Sequence, residues 1–183
     1  TMVPLAGPAN KMGRMAADNI AGLNRTYRGT QGSSVAKIFD LTAANTGKNE
    51  KQLQAAGLEL DKDYKVTLIH PGSHAGYYPG AKTLTLKVIF EKDGGKVLGA
   101  QGVGYDGVDK RIDVLATAVN FGATVYDLEE LELCYAPPFS SAKDPVNMIG
   151  FYGENILSGT IDNIQYSQLK DLTDNQAILD VRT

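Results

Sequence analysis

Apolar residues recur every three or four positions at the start of the chain and every second position in its middle. In "GPANKMGRMAADNIAGL", Met12, Met15, Ala16, Ile20 and Leu23 fall on one face of a helix. Pro8 suits that helix's first turn and Gly22 its stop. Residues 25–34, "RTYRGTQGSS", break the periodicity with Gly and Ser and mark the best boundary between two structural units. Beyond it, "VAKIFDLTAA" predicts a strand, "NTGKNEKQLQAAGL" a short helix ended by Gly57, and "DYKVTLIH" a second strand. "KTLTLKVIFEKDGGKVLGAQGVG" predicts a hairpin. Leu84, Leu86, Val88 and Phe90 alternate, and Asp93, Gly94 and Gly95 supply the turn.

Helices dominate the C-terminal half. "DKRIDVLATAVNFG" puts Ile112, Leu115, Ala116 and Val119 on one face and stops at Gly122. "YDLEELEL" predicts a short helix. In "SAKDPVNMIGFYGENILSG", Asp144 fits an N-cap and Pro145 the first helical position. The last stretch predicts a linker, a short helix near Gln165–Leu169 and a closing strand in "QAILDVRT". A hairpin requires antiparallel pairing, so the expected class is α+β, an antiparallel sheet flanked by helices.

Composition narrows the functions. The chain has 183 residues, 43% hydrophobic and 21% charged, with net charge −3. It is long enough to bury a core without covalent staples. No basic patch favours nucleic acid, and no apolar run reaches the roughly 20 residues of a membrane span. One cysteine excludes an internal disulfide and a cysteine-based zinc site, and points to a reducing, cytoplasmic setting. Both ends read as core segments cut short, so the chain is expected to be a piece of a longer protein.

Four motifs invite chemistry. Gly102-Val103-Gly104 lies inside the second hairpin strand, where glycine marks a bulge or close approach; a dinucleotide fingerprint needs a helix opening there. His70 and His74 flank Pro71 and Gly72 in a loop, without the carboxylate or thiol cluster of a metal site, so no metal is expected. Cys134 lacks the base, helix N-terminus or second thiol that activates a catalytic cysteine; it follows Leu131 and Leu133 at alternate positions and is expected to be a semi-buried thiol. Tyr135 precedes Ala136-Pro137-Pro138, whose fixed φ angles hold a rigid platform, and Tyr77 and Tyr78 sit in a second rigid loop, "HPGSHAGYYPG".

Three stretches, "PLAGPANKMGRMAADNIAG", "GAQGVGYDGVDKRIDVLATA" and "YAPPFSSAKDPVNMIG", in that order resemble the pyridine nucleotide–disulfide oxidoreductases. The branch is that of NADH oxidases and coenzyme A-disulfide reductases, and the match runs from residue 1 to about 159. The resemblance implies that residues 1–33 are the end of an FAD domain with its linker, 34–159 a dimerisation domain, and 160–183 a linker and the start of a rhodanese-like domain. It implies FAD and NAD(P)H as cofactors of the full-length enzyme, with no flavin tightly bound to this piece, which is expected to be inactive alone. It implies a homodimer, with helices 109–121 and 144–158 near the interface, and coenzyme A or a small disulfide or persulfide as substrate.

In that family a single cysteine of the FAD domain forms a mixed disulfide with coenzyme A, and Cys134 does not hold that position. The tyrosine before Ala-Pro-Pro, here Tyr135, and one of the Tyr-Tyr-Pro loop reach into the partner's active site. Tyr77 is the better match, because Tyr78 precedes Pro79 and reads as packing. Leu5, Ala6 and Gly7 would offer backbone amides to the flavin pyrimidine edge. A water-forming NADH oxidase shares the scaffold, and a stand-alone dimerisation module is the alternative without chemistry.

Overall fold

The computed structural model describes residues 3–173 and 175–181. An N-terminal helix, α1 (Ala6–Ile20), stands apart by burying none of its residues. After an irregular linker come β1 (Ser34–Ile38), β2 (Leu41–Gly47), α2 (Glu50–Ala55), β3 (Tyr64–Ile69), β4 (Leu84–Glu91) and β5 (Val97–Gly104). Three helices come next, α3 (Val108–Phe121), α4 (Val125–Glu129) and α5 (Pro145–Leu157), then a 3-10 turn over Tyr166–Asp171. The five strands pair antiparallel in the order β1-β2-β5-β4-β3, so the fold is the α+β arrangement that the sequence predicts.

The β4–β5 hairpin is the centre of the sheet, and its alternation decides the layers. Leu84, Leu86 and Val88 point to one face, where Ile112 and Leu115 of α3 and Val146 and Ile149 of α5 close over them. Each such side chain contributes about 1.5–3 kcal/mol on burial. Ile89 points the other way and meets Leu53 of α2 with Tyr64 and Val66 of β3. Beyond α2 that second face is open: Leu68 and Val103 remain exposed, in register beside Lys87 and Thr85. Gly102 is a glycine for a packing reason. A Cβ there would lie 2.9 Å from Val108 and 3.0 Å from Leu86, so the missing side chain is what lets α3 settle on the sheet.

Three expectations change. The run "VAKIFDLTAA" is two strands, because the chain reverses at Phe39, which takes φ 53° without a glycine or proline to announce it. The helix expected in "YDLEELEL" ends at Glu129, where Asn147 of α5 captures the carbonyls of Leu128, Glu129 and Leu131 and draws the chain off the helical path. The closing strand is not present among residues 176–181, and Arg182 and Thr183 lie outside the described residues.

The segment after α5 instead runs along the edge strand β3. The side-chain amides of Asn163 and Gln165 both donate to the Val66 carbonyl, at 3.2 and 3.0 Å, and Gln168 donates to the Asp61 carboxylate at 2.9 Å. Side-chain groups thus do for this edge what a neighbouring strand would do.

Candidate functional site

The two tyrosines come together. Tyr77 lies on the loop joining β3 to β4, and Tyr135 on the irregular segment between α4 and α5. They are far apart in sequence, yet their hydroxyls are 3.2 Å apart. Both side chains face outward, Tyr77 at 77% exposure and Tyr135 at 47%. Sharing a hydrogen bond with Tyr77, and to a lesser degree partial burial, holds the Tyr135 phenol above its ordinary value. Whichever hydroxyl donates within the pair, one O–H remains to donate outward. Hydrogen bonds in sequence polarise one another and strengthen that outer donor.

Each loop is braced from below. The Tyr77 loop extends the β3–β4 hairpin: Leu84 N–H donates to Pro71 O at 2.9 Å and Ser73 N–H to Lys82 O at 2.8 Å. Its next turn is tied by His74, whose Nε2 lies 3.3 Å from Pro79 O and whose Nδ1 lies 3.1 Å from Ser73 Oγ. Tyr78 packs edge-on against the His74 ring with centroids 5.9 Å apart, whereas Tyr77 reaches Tyr135. His70 pairs with the Thr85 hydroxyl at 2.9 Å. No group of three or more His, Cys, Asp or Glu among the described residues is placed to hold a metal ion.

Cys134 departs from expectation, for it is exposed. The alternation of Leu131 and Leu133 is real, but the segment is no strand: Leu133 packs against the main core while the bonds from Asn147 twist the backbone before it. Its neighbour Tyr135 makes the polar contact.

Leu5, Ala6 and Gly7 lie elsewhere. Leu5 is the N-cap of α1 and makes no side-chain capping bond, and the first turn carries no acidic residue. Leu5 and Gly7 line a cleft of about 670 Å³ together with Tyr27 and the Asp113–Phe121 side of α3, away from both tyrosines.

One group escaped the sequence reading. Arg111 is fully buried beneath the two tyrosine loops and forms an ion pair with Asp144 at 3.0 Å, both side chains almost wholly out of solvent. Its place in the stripe of Val108, Ile112 and Leu115 was the available signal, because spacings of three and four put it on the covered face.

Residues 33–145 match the family described as pyridine nucleotide-disulphide oxidoreductase, dimerisation domain. A coenzyme A disulfide reductase of Staphylococcus epidermidis is 42% identical over 150 residues, 81% of this chain and 33% of that protein. Bacillus anthracis CoADR-RHD, solved in its reduced form, is 53% identical with a TM-score of 0.89, over 96% of this chain and 31% of its own. A NAD-dependent persulfide reductase from A. fulgidus is 41% identical with a TM-score of 0.86, over 94% of this chain and 31% of its own. A water-forming NADH oxidase from Lactobacillus brevis, 19% identical with a TM-score of 0.80 over 88% of this chain and 35% of its own, shares the fold. The chain therefore spans about a third of the length of these relatives. The sheet, the helices on its face and the match over residues 33–145 lead to one conclusion: the chain belongs to the pyridine nucleotide-disulphide oxidoreductase dimerisation-domain family.

Proposed function

We propose that this chain is the dimerisation region of a FAD- and NAD(P)H-dependent enzyme that reduces coenzyme A disulfide or a persulfide. In this reading the chain continues at both ends, residues 1–33 closing a flavin domain and 160–183 leading into a rhodanese-like one. Tyr135 and Tyr77 of one copy reach the reacting sulfur of the other. The observation that carries the reading is the outward-facing hydroxyl pair at 3.2 Å, held on two braced loops. A phenol near pKa 10 keeps its proton at neutral pH and can donate it to a sulfur that is gaining charge. Thiol–disulfide exchange is faster when the departing thiolate is stabilised. Such a pair needs a second copy to act on. The uncovered Leu68 and Val103 on the sheet, and Phe121, Met148 and Phe151 on α3 and α5, offer apolar surface for one.

The residues present fit one edge of a flavin. The N-terminus of α1 has no side-chain cap, and a Cβ on Gly7 would meet nothing within 4 Å, so the Ala6 and Gly7 amides are open to an acceptor oxygen, whereas the Leu5 amide, expected to join them, already donates to Val3 O at 2.9 Å. The helix end carries about half a positive charge, which suits a ring that gains negative charge. When bound, FAD would relay electrons from NAD(P)H to the disulfide. The neighbours that are water-forming oxidases support the scaffold alone, whereas the relatives at 42% and 53% identity favour thiol chemistry.

Tyr135→Phe in the holoenzyme is the test. It removes one hydroxyl and leaves the ring. A lost hydrogen bond to a charged group is worth about 1.5–3 kcal/mol, or about a 10- to 150-fold fall in disulfide turnover. Flavin reduction by NAD(P)H should stay within about twofold, because the hydroxyl serves only the sulfur step. Unchanged turnover in Tyr135→Phe and in Tyr77→Phe would sink the assignment. Light scattering of the protein at tens of micromolar should report a dimer, and a monomer would count against the trans arrangement.

A further inference from the structure

We propose that Arg111 is the positioning residue of the tyrosine pair: its buried guanidinium ties the loop carrying Tyr77 to the loop carrying Tyr135 and so sets the spacing of their hydroxyls. The proposal rests on the role proposed for the two tyrosines and adds a residue that neither motif contains.

The geometry is that of a hub. Arg111 is 1% exposed. Its Nη2 donates to Ser73 O at 2.9 Å, on the Tyr77 loop, and to Ser140 Oγ at 3.3 Å and Asp144 Oδ2 at 3.0 Å, on the segment that follows Tyr135. Nε reaches Asp144 Oδ1 at 3.4 Å, and Nη1 donates to Gly107 O at 3.1 Å. The acceptors are themselves fixed. Ser140 Oγ donates to Asp144 Oδ2 at 2.6 Å, and the Ser140 carbonyl accepts from Ala75 N–H at 3.0 Å, joining the two loops a second time. Asp144 also caps α5 through Val146 N–H at 3.0 Å. The slot is shaped for this side chain: Gly107 has φ 69°, and any Cβ there would overlap the Arg111 guanidinium.

Stability alone does not account for such a group. Buried ion pairs contribute little net stability compared with apolar side chains of the same volume, because desolvation offsets the attraction. What an apolar side chain cannot supply is direction. A planar fork of five donors fixes the relative placement of a carbonyl, a hydroxyl and a carboxylate from separate segments, and a lysine's single ammonium cannot. Those segments carry the two tyrosines.

The test uses the FAD-loaded dimer and two readouts. Arg111→Lys keeps the charge and loses the fork. The expected result is a fall of about 10- to 100-fold in kcat for coenzyme A disulfide, the cost of misplacing a reacting group by about 1 Å, with flavin reduction by NAD(P)H within about twofold. In a Tyr77→Phe/Tyr135→Phe background the same substitution should cost less than about threefold more, because the groups it positions are gone. An equal loss in both backgrounds would mean a general structural role and would overturn the proposal. The second readout needs no turnover. With tyrosine labelled at the phenol carbon, NMR titration should show Tyr77→Phe lowering the Tyr135 pKa in the parent protein, since Tyr77 is what holds it up, and causing no shift in the Arg111→Lys protein. A Tyr77–Tyr135 coupling that survives Arg111→Lys would overturn the proposal regardless of kinetics. If the double tyrosine variant turns over normally, the functional reading of the pair falls, and the titration alone decides Arg111. Should Arg111→Lys fail to accumulate, Ser140→Ala cuts one arm without stranding a charge. It should lower turnover about two- to tenfold and weaken the same coupling, and no change in either would overturn the proposal.

Discussion

Helices α1 and α3 are nearly equal in length, 15 and 14 residues, and both carry an apolar stripe, yet α3 buries Val108, Arg111, Ile112, Leu115 and Ala118 while α1 buries nothing. Their ends do not separate them: each is followed by a left-handed glycine, Gly22 and Gly122, and neither N-cap, Leu5 nor Gly107, makes a side-chain capping bond. Periodicity tells which face of a helix is apolar. It does not tell what covers that face. For α3 the cover is the sheet of the same chain; for α1, on the proposed reading, it is a flavin domain together with the flavin's own oxygen edge.

The sharpest way to break this contrast is a matched truncation. Leu115→Ala, at 0% exposure, should cost this chain about 2–5 kcal/mol in chemical denaturation, and Ile20→Ala, at 89% exposure, no more than about 0.5. Equal costs would show that α1 is covered in solution after all. A smaller effect is expected at the start of α1. Leu5→Asp supplies the missing cap and should stabilise the isolated chain by about 0.5–2 kcal/mol. In the holoenzyme it should weaken flavin binding, because its carboxylate takes the Gly7 amide, the N2 donor, Pro8 at N3 having no N–H; tighter binding would remove that amide from the flavin site.

Helix α4 provides the capped counterpart. Thr124 and Asp127 form a reciprocal box, with Asp127 accepting at 2.7 Å from both the Thr124 amide and hydroxyl. Those bonds, the backbone one first, hold the Asp127 pKa below its usual value. The folded value lies under the unfolded one, near 3.9, so the stabilisation is complete above that pH and is lost as pH falls through the folded value. Thr124→Ala should cost about 1 kcal/mol at neutral pH and reduce this acid dependence without abolishing it, because the backbone bond remains, and an unchanged acid limb would refute the link. The smallest effect is expected at Cys134→Ala. The thiol is exposed, so stability should move by less than about 0.5 kcal/mol and turnover by less than twofold; a dead variant would make the thiol, not Tyr135, the working group of the motif.

Much of the fold was legible because local signals agreed with tertiary packing. The β4–β5 hairpin has alternation and a Gly94-Gly95 turn, and α5 has Asp144 and Pro145 in the expected cap positions. The β1–β2 hairpin was not, since Phe39 turns the chain without any residue that favours positive φ. At the candidate site, Tyr77 was preferred over Tyr78 on Pro79 alone, and the structure places Tyr77 against Tyr135 and Tyr78 against His74. The stripe of α3 signals that Arg111 is covered, but its role and the exposure of Cys134 follow from long-range bonds, Arg111 to Ser73 and Asn147 to Leu131, that no window of sequence displays.

The amides of Asn163 and Gln165 on the Val66 carbonyl join residues 97 and 99 positions apart. During synthesis β3 therefore emerges and pairs with β4 well before these amides can cover its outer edge at Val66, although at Tyr64 the Asp61 N–H covers it locally at 2.9 Å. An open edge is a template for pairing with other chains. Nascent molecules crowded on one messenger would share that hazard until the segment after α5 leaves the ribosome. On this view a residue such as Gln165 acts on yield more than on equilibrium stability, by setting how long the edge stays available.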